Sequence, residues 1–159
     1  MCGIFATNGG TLYRNIELLK SLEYRGYDST GFVYVTKDGH IGTEKSVGNV
    51  TKLMLSFKDE DAEVVAFMGH TRWATHGKVS KMNAHPHFDS TGRYAIVQNG
   101  IVENYLELKN KYNFTDLKSD TDTEVLINII ASKCGKLTLP EAIAETFKEV
   151  RGANSIIVL

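Results

Sequence analysis

Asp38-Gly39 stands between two short runs, GFVYVT at 31–36 and residues 40–46, that read as strands. An Asp-Gly pair in that position predicts a tight hairpin, because both turn positions favour a positive φ. An antiparallel pair is thereby expected early in the chain. The rest of the pattern builds around it. CGIFAT at 2–7 reads as a strand closed by the turn Asn8-Gly9-Gly10, and Leu12, Ile16, Leu19 and Leu22 recur at helical spacing through Glu23, with Thr11 as N-cap. A short helix is expected at 50–57, and strands at 63–69 and 94–98. Between those strands lies 70–93, rich in His, Thr, Asn and Gly. Loops of that length inside a compact domain are usually functional.

Three helices follow. They are expected at 102–112, at 122–133 behind a Thr121–Glu124 capping box, and at 139–150, where Pro140 opens a face of Ala142, Ile143, Phe147 and Val150. SIIVL at the end reads as a very apolar strand. Hairpins first and helices beside them predict an α/β (α+β) sandwich of mostly antiparallel sheet. A central-type strand at the last residue would leave its sheet edge little covered, so incompleteness at the C-terminal end is expected.

The 159 residues suit one domain, 1–159, with one core. A net charge of −1 with scattered Lys and Arg argues against nucleic acid or a membrane surface as partner. Neither a spanning apolar run nor a secretory signal is evident, so the expected compartment is the cytoplasm. The two cysteines, Cys2 and Cys134, do not make a disulfide scaffold. Cys134 reads as a structural thiol near a helix end.

Cys2 differs because loss of Met1 would expose its α-amino group. A thiol with pKa near ~8.5 needs a base at neutral pH, and an α-amine near ~7.7–8.0 can serve on the same residue. Taken alone, Cys2 reads more readily as an accident of the second position. Asn99-Gly100, after a strand, offers a side-chain amide and a backbone N–H for an oxyanion, although such a pair alone is more often a turn. Arg72 suits bidentate capture of a carboxylate, against the commoner reading of a solvated surface Arg. Asp122 at a helix start suits an α-ammonium, or only the helix dipole. Together the two would grip a free amino acid by both ends. Trp73 reads as core or as a lid. His85-Pro86-His87 lacks a third spaced ligand, so no metal is expected.

These pieces occur in order within MCGIF, LEYRGYDSTG (22–31), GHTRWATHG (69–77), NAHPH (83–87), QNGIVENYLELK (98–109) and SDTDTEV (119–125). The set resembles the glutaminase domains (class II amidotransferases) of the glutamine–fructose-6-phosphate aminotransferase family. Related amidotransferases share the leading Cys-Gly-Ile and the Asn-Gly, whereas HTRWATHG and NAHPH favour the hexosamine branch.

The resemblance implies an Ntn-hydrolase fold of four layers, αββα. It implies Cys2 as nucleophile with its own amine as base, Arg25 orienting the catalytic end, and Asn99 with Gly100 as oxyanion hole. Arg72 and Asp122 would hold glutamine, Thr75, His76 and Gly100 would add polar contacts, and 72–80 would close over it with Trp73. The activity implied is hydrolysis of glutamine through a Cys2 thioester, without a cofactor. The ammonia would go to fructose 6-phosphate, on a synthase/isomerase domain or subunit that these residues do not include; the resemblance leaves room for a homo-oligomer. One departure is Gln98, where the family usually has His. Two other readings stay open: a glutamine- or partner-binding module without turnover, and an amidotransferase feeding another acceptor.

Overall fold

A computed structural model describes residues 2–57, 62–74 and 78–159. Two antiparallel sheets stack face to face, each backed by helices. The first sheet has the order β1-β4-β2-β3, with β1 Gly3–Thr7, β2 Ser29–Thr36, β3 Ile41–Val47 and β4 Val64–Arg72. The second has the order β5-β6-β7, with β5 His87–Phe88, β6 Ala95–Gly100 and β7 Asn154–Val158. Helices α1 (Leu12–Lys20) and α2 (Val50–Met54) cover the first; α3 (Tyr105–Lys111), α4 (Asp122–Lys133) and α5 (Leu139–Phe147) cover the second.

The period-2 alternation of the strands distributes the core among three interfaces. Phe32 of β2 and Phe67 of β4 face the first helix layer, where Leu12, Ile16 and Leu19 are fully buried. Their neighbours Val33 and Met68 point the other way and meet Ala95 and Val97 of β6 between the sheets. Ile96 then faces α4, whose Val125, Leu126, Ile127, Ile129 and Ile130 are all buried. A helix apolar on nearly every side must be enclosed, and α4 is. This is the αββα layering expected from the motifs.

The hairpin forms where predicted, but four residues join its strands and only Gly39 of the Asp-Gly pair takes a positive φ. β2 pairs with β3 from Ser29↔Val47 to Val35↔Ile41, and Gly39 takes φ 86°. Thr11 caps α1 by accepting from the Arg14 amide at 3.3 Å. Several boundaries differ from the expectation for identifiable reasons. Helix α1 stops at Lys20 because the Ser21 and Leu22 amides take tighter bonds to Leu18 and Leu19. A single 3-10 turn, Glu23–Arg25, then swings the chain toward residue 2. Helix α3 begins at Tyr105 rather than 102 because the Val102 amide donates to Asp122 and the Glu103 amide to Arg151. The capping box at Thr121 is half-formed: Thr121 accepts the Glu124 amide, but the Glu124 carboxylate turns to the amides of Lys118 and Ser119. The complete box is at Thr138 and Glu141.

Candidate active site

The ends of three strands and one helix meet at one edge of the sandwich. Cys2 precedes β1, Arg72 ends β4, Asn99 and Gly100 end β6, and Asp122 opens α4. The Arg25 Nε donates to the Cys2 carbonyl oxygen at 3.0 Å, and the Asn99 Nδ2 donates to the same oxygen at 3.1 Å. The Trp73 amide donates to the Cys2 Sγ at 3.3 Å. Residue 2 is therefore held by groups from three distant segments, while its sulfur faces a cavity. That cavity is lined by Cys2, Arg72, Gln98, Gly100, Asp122 and Thr123, among others.

Asn99 and Gly100 are not a turn. Both lie in β6, opposite Ser155 and Asn154 of β7. Gly100 has φ 148°, and a Cβ there would fall 2.3 Å from the Ala153 carbonyl oxygen, so only glycine fits this strand end. The structure commits the Asn99 amide to the Cys2 main chain, next to the sulfur, rather than leaving it unpaired.

Arg72 and His70 belong to β4 rather than to the long loop, which shortens that loop and fixes both side chains on a sheet. Arg72 is only 5% exposed, which excludes the solvated-surface reading. Its guanidinium donates to the Lys78 carbonyl at 3.4 Å. Burial lowers its pKa, and electrostatic interaction with Cys2 and with the carboxylates of Asp28 and Asp122 opposes that fall. A cation held beside such anions and beside a cavity is suited to a substrate carboxylate.

Asp122 Oδ2 accepts the Val102 amide at 2.7 Å and the Gln98 Nε2 at 3.3 Å. Its other oxygen has no hydrogen bond among the described residues. Trp73 is 44% exposed and meets Tyr27 edge-on, with centroids 5.6 Å apart, so it is a surface aromatic beside the cavity and not core. The cavity is about 30 Å³, room for water and not for an amino acid. Thr75 and His76 lie outside the described residues, as does part of the 72–80 segment.

Three buried imidazoles pack together behind the site, and His85 among them lines the cavity. His70 Nε2 bonds the Gln98 carbonyl oxygen at 3.0 Å, His85 Nε2 the Thr123 hydroxyl at 2.8 Å and His87 Nε2 the Thr121 hydroxyl at 3.1 Å. His70 and His85 rings lie 4.1 Å apart, and His85 and His87 4.8 Å. Burial pushes the His70 pKa down to about 3 and lowers those of His85 and His87 well below the usual value. Neutral rings packed on one another support the start of α4 through its threonines.

Sequence reasoning missed Asp28, whose Oδ2 accepts the Ala74 amide at 2.9 Å and anchors the segment after Arg72. Its place in EYRGYDS was the available signal. It also missed Asn154, which meets Gln98 from the far end of the chain; no local pattern marks that residue.

Comparison with known proteins bears on the family and the fold. Residues 57–144 match the model of the glutamine amidotransferase domain family. The chain is 45% identical over its whole length to the glutamine–fructose-6-phosphate aminotransferase (isomerizing) of Aquifex aeolicus, covering 27% of that protein. It is 43% identical to the Bacillus subtilis enzyme of the same name, over 98% of this chain and 26% of the relative. The chain thus spans about a quarter of the length of the curated relatives it matches. In fold it resembles the allosteric regulatory enzyme of purine biosynthesis, with TM-score 0.80 and 23% identity over all of this chain and 35% of that one. It also resembles the glutamine phosphoribosylpyrophosphate amidotransferase of B. subtilis, with TM-score 0.77 and 24% identity over 99% of this chain and 34% of that one.

Proposed function

We propose that this chain, which belongs to the glutamine amidotransferase domain family, hydrolyses L-glutamine to glutamate and ammonia through a thioester on Cys2. One observation carries the reading: Cys2 lines the same cavity as Arg72, Gly100 and Asp122, so a cation and an anion border the space beside the nucleophile.

The chemistry follows from those positions. With Met1 removed, the Cys2 α-amine takes the thiol proton, directly or through water. The sulfur attacks the side-chain amide carbon, and the oxyanion is met by donors from Asn99 and Gly100. The tetrahedral adduct collapses, the C–N bond breaks, and the amine returns its proton to the departing ammonia. Water then attacks the thioester and releases glutamate and the free thiol. Arg25 holds the Cys2 carbonyl, and so orients the residue that carries both nucleophile and base. Arg72 pairs the substrate carboxylate and Asp122 its ammonium, with Thr75 and His76 adding contacts. The small cavity requires Trp73 to withdraw for glutamine to enter. Its return would exclude water from the thioester.

The names of the relatives support a fate for the ammonia: transfer to fructose 6-phosphate, for hexosamine synthesis, on an isomerising domain or subunit. A homo-oligomer and a cytoplasmic location belong to the same proposal. Among the described residues no helix is long and apolar enough to cross a membrane.

The test is glutamate release by the purified protein. Activity is expected in the form whose intact mass lacks Met1, and to be lost both in Cys2→Ala and when Met1 is retained. A folded Cys2→Ala protein with undiminished hydrolysis would overturn the mechanism.

A further inference from the structure

Gln98 is 2% exposed and lines the cavity beside Asp122. Its amide orientation is locked by its neighbours. Asn154 Nδ2 donates to the carbonyl oxygens of Ile101 and Gly152, at 3.1 and 3.2 Å, which turns the Asn154 Oδ1 toward Gln98. The carboxylate of Asp122 can only accept. Gln98 Nε2 therefore faces both, at 2.6 Å from Asn154 Oδ1 and 3.3 Å from Asp122 Oδ2. The consequence is that Gln98 Oε1 is buried with no hydrogen-bond partner among the described residues.

A buried acceptor left empty is costly, and native structures rarely keep one without a reason. Gln98 and Asp122 line the same cavity, as does Arg72, and Asp122 Oδ1 also has no hydrogen bond among the described residues. Two open acceptors on residues lining one cavity, one charged and one neutral, suit a group with several N–H donors and a positive charge. A hydroxyl or a carboxylate would not satisfy both.

We propose that Gln98 Oε1 is a direct second acceptor for the α-ammonium of the bound amino acid, beside Asp122. The role rests on the glutaminase reading and deepens it. The same side chain thus has two tasks: its nitrogen ties β6 and β7 to Asp122, and its oxygen selects substrates that carry a free α-amine.

The experiment compares glutamine with its analogue lacking the α-amino group, in wild type, Gln98→Met and Gln98→His. Cys2-dependent hydrolysis of glutamine by wild type is established first, and its absence there removes the glutaminase reading itself, before any variant is read. With hydrolysis present, Gln98→Met is expected to raise KM for glutamine roughly tenfold or more, the effect of losing a hydrogen bond to a charged group. Its kcat should hold within about twofold, as for uniform binding. KM for the deaminated analogue should be unchanged, and Gln98→His, which keeps an acceptor, should recover part of the loss. Equal losses on both substrates overturn the proposal. So does disappearance of the Gln98→Met effect in an Asp122→Asn background, since Gln98 would then act only through Asp122. Should Gln98→Met not fold, Gln98→Leu takes its place in the same comparison, and failure of both to fold overturns the selective role.

Discussion

Arg25 and Asn99 converge on one atom, the carbonyl oxygen of Cys2, at 3.0 and 3.1 Å. One comes from a 3-10 turn after α1 and the other from a strand of the opposite sheet, so the nucleophile's backbone is pinned across both sheets. Asn99→Ala is expected to lower kcat for glutamine hydrolysis by about 10²–10³-fold, the scale of losing an oxyanion donor, with KM changed much less. Steady-state kinetics with a thermal melt as folding control checks this. A KM effect alone would contradict the role.

Arg72 gives a second test. Its guanidinium is buried beside Cys2, Asp28 and Asp122. Arg72→Lys keeps the charge but loses the planar fork. KM for glutamine is expected to rise roughly tenfold, by the loss of a charge-assisted bond. Retention of wild-type KM would mean that the carboxylate is held elsewhere.

Gly26 joins packing to activity. A Cβ there would fall 2.5 Å from the Arg72 carbonyl carbon and 2.6 Å from the Trp73 nitrogen. Gly26→Ala must therefore push back the backbone whose Trp73 amide holds the Cys2 sulfur. Overpacking of this kind costs about 1–3 kcal/mol. Urea unfolding should show a loss of that size, and kcat/KM should fall further than the unfolded fraction explains.

The buried imidazoles set a pH dependence. Burial holds His70 near a pKa of about 3 and lowers His85 and His87 strongly, so the folded rings stay neutral while the unfolded rings protonate below pH ~6.5. The unfolded state then binds more protons, and stability rises with pH. Their contribution is fully present above the unfolded value and is lost as pH falls, by at most about 1.4 kcal/mol per pH unit for each ring. Unfolding free energies measured from about pH 7.5 down to about pH 5 should decline, and His85→Gln should flatten the slope.

Much of this fold was readable along the chain. The Asp38-Gly39 turn, the Thr11 cap and the enclosed helix from Asp122 depend on residues within a turn or two of each other. The candidate nucleophile and its partners were readable as a set, because six motifs kept their order. The length of β4 and the late start of α3 were not. Arg72 joins a strand because Ser29 lies opposite it, and Val102 leaves a helix because its amide finds Asp122. Both choices depend on a distant partner.

From sequence come the residue types able to do the chemistry and the periodicities that place them at element ends, since side-chain reactivity and helical or extended spacing are local properties. Tertiary structure alone decides which groups lose water and which hydrogen bonds are already taken. It buries Arg72 beside Asp28 and Asp122, turns one N–H of the Asn99 amide to the Cys2 carbonyl, and brings Asn154 of β7 against Gln98 so that one oxygen is left open. Solvation and hydrogen-bond pairing are settled only when remote segments meet, and β7 is too far from β6 along the chain for any local pattern to announce the contact.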